Sequence, residues 1–342
     1  MIQTKEKIYF PKLLTFHEES NNVIISAVRT KLAADGLRVS PALLLLLGGG
    51  IDFFYRSHID EGKNESYASA VNPHFLRDLC LPLGLYLEDF RTIDIRRLQQ
   101  DIKRNLLLRV APPMIEIPGC MLNSANLEIY PRILMLVAGL SEDESELIVV
   151  HPMKREYLRI AYSSLASICE AEGGIRWLMI NSPSFSKPVF PPLELGLKQS
   201  LQLSSFRKVN ESNLLGMTLL RGEQAFKKCI NDLYFIGTAS NESVQEHYLQ
   251  HLMSNTNVEF GVTWGRTLLA DALQEVNSFF SIEHILQDVK TLADNWKIWT
   301  EIISSRKDGY STISKQAVEK LNEIYITEKK IAEFFINSTE VR

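Results

Sequence analysis

The chain has 342 residues, of which 45% are hydrophobic and 23% charged, with a formal net charge of -4. That length and apolar content suffice for one large or two ordinary domains, and the scattered Lys and Arg leave no basic footprint for nucleic acid. The longest apolar run, Ala42 to Leu47, is far short of the roughly 20 residues that span a bilayer, and the start MIQTKEKIYFPK lacks a signal-peptide core, so a soluble, cytoplasmic protein without a membrane partner is expected.

In chain order, Val23, Ala27, Val28 and Leu32 share one face of a helix predicted over Asn22 to Ala34 and closed by Asp35-Gly36. A second helix is expected to open with Ser40 as N-cap and Pro41 at its first position, and to run into Gly48, Gly49 and Gly50 and an aromatic, strand-like stretch. Glycine stands where a Cβ would block a turn, a packing contact or a ligand, so the triplet reads either as a tight helix-to-strand turn or as backbone passing close to a bound molecule. Ile95, Leu98, Ile102 and Leu106 mark a third helix over Thr92 to Leu108. Short β-rich runs follow at Pro113 to Ile117, Ile133 to Ala138, Leu147 to Val150 and Arg176 to Ile180, the middle two joined by an acidic loop of hairpin length.

The stretch Asn181 to Pro192, NSPSFSKPVFPP, breaks both periodicities and reads as a linker. Beyond it the strand signal is absent, and Leu214 to Leu233, Val244 to Met253, Gly265 to Val276, Ile282 to Ile303 and Ile313 to Phe335 carry helical spacing. The expected organisation is an α+β domain over 1–182, a Pro/Ser-rich linker over 183–192 and an α-helical domain over 193–342.

Two groups of motifs carry a likeness. Gly36-Leu37-Arg38-Val39-Ser40 followed by Gly48-Gly49-Gly50-Ile51-Asp52-Phe53 resembles the N-terminal domain of the butirosin biosynthesis acyltransferase family. Asn213-Leu214-Leu215-Gly216, Gly265-Arg266, the Trp296 and Trp299 pair and an acidic closing helix around Glu328 resemble the family's C-terminal companion domain. The resemblance implies a papain-like, cysteine-peptidase-like fold and a role in bacterial antibiotic-type metabolite biosynthesis, with an acyl or aminoacyl group handed from a carrier-protein thioester to an amine. It implies an acyl carrier protein or a carrier-bound small molecule as partner and no cofactor, and it leaves a homodimer open.

The family's catalytic residues do not carry over. A papain-like site needs a thiolate at a helix N-terminus, an imidazole to take its proton and an Asp or Asn to orient that ring. Where the resemblance places the cysteine, after Phe16-His17, the chain has Glu18, Glu19, Ser20, Asn21 and Asn22. Arg132 stands at or beside the expected histidine, and Val149-Val150-His151-Pro152 replaces the expected Asp-Pro. Ser20 reads as a helix N-cap rather than a nucleophile, and Cys120, after Pro118-Gly119, as a structural thiol.

Three functions remain open on these residues. The first is an acyltransferase-like protein without the cysteine nucleophile, and the second a pseudoenzyme that binds a carrier or an intermediate. The third is a non-covalent acid-base enzyme using Glu18, Arg132, His151 and His17, with Gly48, Gly49, Gly50, Ser20 and Asn22 holding substrate. The four cysteines, Cys80, Cys120, Cys169 and Cys229, lack CxxC spacing, and His247 and His251, four apart on one helix face, lack a third ligand, so no metal site is expected.

Overall fold

The computed structural model describes residues 6–20, 22–49, 53–60, 63–69, 74–121, 132–181, 213–214, 217–218, 220–239, 241–256, 261–277, 282–305 and 309–337. In chain order the elements are β1 (Glu6–Ile8), α1 (Lys12–Thr15), α2 (Val23–Asp35), α3 (Pro41–Leu47), β2 (Phe54–Asp60), β3 (Lys63–Ser69), α4 (Phe75–Cys80), β4 (Tyr86–Thr92), α5 (Ile95–Leu108) and β5 (Met114–Ile117). They continue with β6 (Ile133–Ser141), β7 (Glu146–Val150), β8 (Tyr157–Ala161), α6 (Tyr162–Glu172), β9 (Ile175–Asn181) and three two-residue strands, β10 (Asn213–Leu214), β11 (Met217–Thr218) and β12 (Leu220–Arg221). The helices α7 (Gly222–Thr238), α8 (Glu242–Thr256), α9 (Val262–Val276), α10 (Glu283–Ser304) and α11 (Tyr310–Asn337) close the chain. The mixture of antiparallel sheets and segregated helices is an α+β architecture.

The chain divides into two compact units, residues 1–41 with 83–191, and 42–82 with 192–342. In the first, the antiparallel strands run β4-β9-β5-β6-β7-β8, with β1 added to β6. Every residue of β6 is buried, which makes it the centre of the core. Helix α2 packs on β6 and buries Val28 and Leu32 completely, as its apolar face predicts. It ends where Gly36 adopts a left-handed φ of 101°, a conformation that costs a glycine little.

Hairpin β6–β7 forms as expected, with a register shift between Val137 and Gly139. At Gly139 a Cβ would land on the Lys7 carbonyl oxygen of β1, so only glycine lets that strand approach. The hairpin turn is tied by Asp143, whose carboxylate accepts from the Ser141 and Ser145 hydroxyls and is held down to about 2 by those bonds. The predicted helix over Thr92 to Leu108 starts later than expected. Thr92 belongs to β4, and Asp94 caps α5 by accepting from the Arg96 and Arg97 amides, while Leu98, Ile102 and Leu106 are fully buried.

Residues 42–82, expected within 1–182, group with the helical part of the chain. The cause is long-range pairing that no local pattern carries: Tyr55 of β2 stands opposite Leu220 of β12, and Phe53 packs against Phe226 and Trp296 at centroid distances of 4.5 and 5.4 Å. Strand signal also continues past the proline-rich stretch. The helix predicted over Leu214 to Leu233 begins only at Gly222, because β10, β11 and β12 occupy its first turns. Helix α7 then packs on α11 and β2, and α8 packs on β3. Residues 183–192, read as a linker, lie outside the described residues.

Candidate functional site

The start of α2 gathers most of the chemistry anticipated in the first unit. Asn22 caps the helix, its Oδ1 accepting from the Ile24 and Ile25 amides at 3.0 and 3.1 Å. Ser20 is therefore not the cap; its Oγ accepts from the Asn22 amide at 3.3 Å and shapes the approach to it. One turn on, the buried Ser26 hydroxyl reaches the Glu18 carbonyl at 2.8 Å and also the Pro152 carbonyl, pinning the segment before α2 to the turn after β7.

Across that junction two histidines meet. The His17 Nε2 donates to the His151 carbonyl at 2.9 Å, which leaves the lone pair of a neutral ring on Nδ1. His151, only 1% exposed, accepts from the Met153 amide at Nδ1 over 3.0 Å, so its ring proton lies on Nε2. Burial, more than any neighbouring charge, lowers its pKa below the ordinary 6.5 and keeps the ring neutral. The His17 Nδ1 and the His151 Nε2 are both buried without a hydrogen-bond partner, one an acceptor and one a donor.

Glu18 is engaged elsewhere. Arg29 donates to its carboxylate at 2.8 Å while also holding the Glu19 and Val39 carbonyls, and Arg38 adds an ion pair at 4.0 Å. Arg132 is not part of this group. It pairs with Glu172 at 2.5 Å and Glu116 at 3.5 Å, in a row that continues through Arg176 to Asp89. No hydrogen bond or ion pair links Arg132 to His17, Glu18 or His151 among the described residues.

Gly48 and Gly49 lie in the other compact unit and have a packing role. Their amides close α3 onto the Leu44 and Leu46 carbonyls at 3.1 Å each, Gly49 takes a left-handed φ of 71°, and a Cβ on Gly48 would fall on the Phe75 ring. Gly50 lies outside the described residues. The turn reading of the triplet thus accounts for its first two members.

The second unit holds a polar cluster around Asp232 that sequence patterns did not mark. Tyr55 Oη donates to Asp232 at 2.9 Å and meets Tyr248 Oη at 2.5 Å, while Ser57 and Lys228 bind the same carboxylate at 2.5 Å. Trp296 and Trp299 are fully buried, as packing predicts, and their indole N–H groups donate to Glu328 and to the Ala317 carbonyl. A cleft of about 450 Å³ opens among α8, the end of α10 and the start of α11, with Glu242, Glu246, Gln250 and Tyr310 on its wall; no anticipated site residue lines it.

Cys80, Cys169 and Cys229 are buried and Cys120 is exposed, each as a thiol rather than half of a disulfide, and none enters the α2 junction. The rings of His247 and His251 sit 4.6 Å apart on α8, and no group of three ligating side chains that could hold a metal occurs among the described residues. No helix among them is long and apolar enough to cross a membrane. No protein-family model and no curated protein matches the chain.

Proposed function

We propose that the chain is an acyltransferase-like protein of antibiotic-type metabolite biosynthesis that has exchanged covalent catalysis for binding of a carrier-linked acyl group. The likeness of its motifs to the butirosin biosynthesis acyltransferase family supplies the pathway class and the papain-like cleft. The observation that carries the loss of thiol chemistry is the self-capped start of α2. In a papain-like site the free amides and dipole of this turn stabilise a thiolate; here Asn22 takes two of those amides and no cysteine is near.

What the junction keeps is an unpartnered N–H on His151 and a His17 ring nitrogen that accepts when that ring is uncharged. The His151 Nε2–H and the His17 Nδ1 match the C=O and N–H of an amide, and a pantetheine arm carries two amides. Both nitrogens are closed to solvent, so binding requires the His17 segment to swing aside. A pantetheine thioester bearing a short acyl chain, titrated calorimetrically and followed by intact mass, tests the proposal. Saturable binding with no acyl adduct and no transfer to an added amine is expected; an acylated chain, or no heat of binding at millimolar probe, contradicts it.

A second reading, acid-base turnover without a covalent intermediate, is favoured by the unengaged lone pair on His17. It now rests on the two histidines, since Glu18 and Arg132 are held in ion pairs of their own. Amine-dependent consumption of the thioester that disappears in His17→Ala would establish it over pure binding.

A further inference from the structure

Strand β4 forms one edge of the large sheet: it pairs with β9, and no other strand pairs with it among the described residues. Such an edge offers a row of unpaired amides and carbonyls, which proteins normally blunt or cover. This one is instead seven residues long and carries exposed aromatic side chains. Tyr86 is 60% exposed, Phe90 42% and, just past the strand, Ile93 78%.

The charges of β4 are unevenly matched within the sheet. Arg176 holds Asp89 through two bonds of 2.9 and 2.7 Å, yet Arg176 stands directly opposite Arg91, so two guanidinium groups are neighbours across the strands. Arg91 itself donates to the Glu172 carbonyl at 2.8 Å, and no carboxylate faces it within its own sheet among the described residues. An acidic group beyond the open edge, opposite Arg91, would complete the row.

We propose that β4 pairs antiparallel with β4 of a second copy of this chain, around a two-fold axis through Phe90, and joins the two sheets into one. An axis normal to the sheet keeps every residue on its own face, so only registers centred on a residue are allowed. Centring on Glu88, Asp89 or Arg91 sets that charge against its own copy, which is unfavourable for directly opposed residues. Centring on Phe90 sets Asp89 against Arg91 of the second copy twice over and Leu87 against Ile93. It also extends the Phe90 to Trp177 stack, whose rings lie 4.5 Å apart, into a row of four rings across the axis.

Sedimentation velocity measures the prediction on the full chain. The wild type is expected at twice the 39.0 kDa chain mass, and Arg91→Asp, which sets like charges opposite each other, should weaken association at least about tenfold. Phe90→Lys should do the same, and circular dichroism melts show whether both variants stay folded. The register is read independently in a Cys120→Ser background, where Phe90→Cys should link into a disulfide dimer and Glu88→Cys should not, because only the residue on the axis meets its own copy. A wild type that stays monomeric at ~100 μM, dimers that survive both charge substitutions, or a Glu88→Cys variant that links as efficiently as Phe90→Cys would each overturn the proposal.

Discussion

Two buried polar clusters, one in each compact unit, differ in what they leave over. Around Asp232 the hydrogen-bonding capacity is consumed: Tyr55, Ser57 and Lys228 share its carboxylate, and Tyr248 closes on Tyr55. At the α2 junction two ring nitrogens remain without partners although both are buried. Unsatisfied buried polar atoms are costly and call for an explanation, whereas a fully satisfied network fixes a fold. The contrast distinguishes these two clusters from each other where burial does not, since both are buried.

The largest expected effect falls on the scaffold side. Asp232→Ala removes the acceptor for two hydroxyls and an ammonium group and leaves the Tyr55 and Ser57 hydroxyls underbonded, so a loss of about 3 kcal/mol in urea unfolding is expected. A loss below about 1 kcal/mol would break the comparison by showing that the network is dispensable. At the junction, Asn22→Ala removes a cap and should cost only about 1 kcal/mol.

The smallest effect at neutral pH, and the most specific, concerns His151. Its folded pKa lies below 6.5, so above that value the ring is neutral in both folded and unfolded chains. As the pH falls through 6.5 the unfolded chain takes up the proton first, and stability is lost until the depressed folded pKa is reached. His151→Gln, which keeps an acceptor for the Met153 amide and cannot titrate, should flatten the stability profile over that window while leaving it little changed at pH 8. An unaltered slope would mean that His151 is not the group held neutral.

Local pattern was enough for much of the first unit. Leu98, Ile102 and Leu106 in α5, Val28 and Leu32 in α2 and the apolar strands of the β6–β7 hairpin each bury the face their spacing predicts. Edge strand β4 was not legible, because Tyr-Leu-Glu-Asp-Phe-Arg-Thr is polar on both faces and pairs on one side only. The membership of residues 42–82 was hidden for another reason. Tyr55 finds Asp232 177 residues along the chain, and short-window periodicity contains nothing about such a partner.

The candidate site was legible in part. His17, Glu18, Ser20, Asn22 and His151 do come together at the α2 junction, yet His17 and His151 are 134 residues apart and only the family likeness, not a local pattern, set them side by side. Their roles were not readable. Glu18 is neutralised by Arg29, one face of α2 further on, and Arg132 joins a carboxylate row on the sheet, both set by three-dimensional neighbours. The glycine triplet stands out by composition, and Phe75, which fills the space beside Gly48, explains that glycine by packing.

Long-range proton-nitrogen NMR of the histidine rings tests the binding account most directly, because it reads the two unpartnered nitrogens themselves. At pH 7 His151 should show the neutral Nε2–H form, and addition of the acyl-pantetheine thioester should shift the His17 Nδ1 and His151 Nε2 resonances while those of His247 stay in place. Ring signals at the junction that do not move at saturating probe, or a charged His151 at that pH, would contradict it.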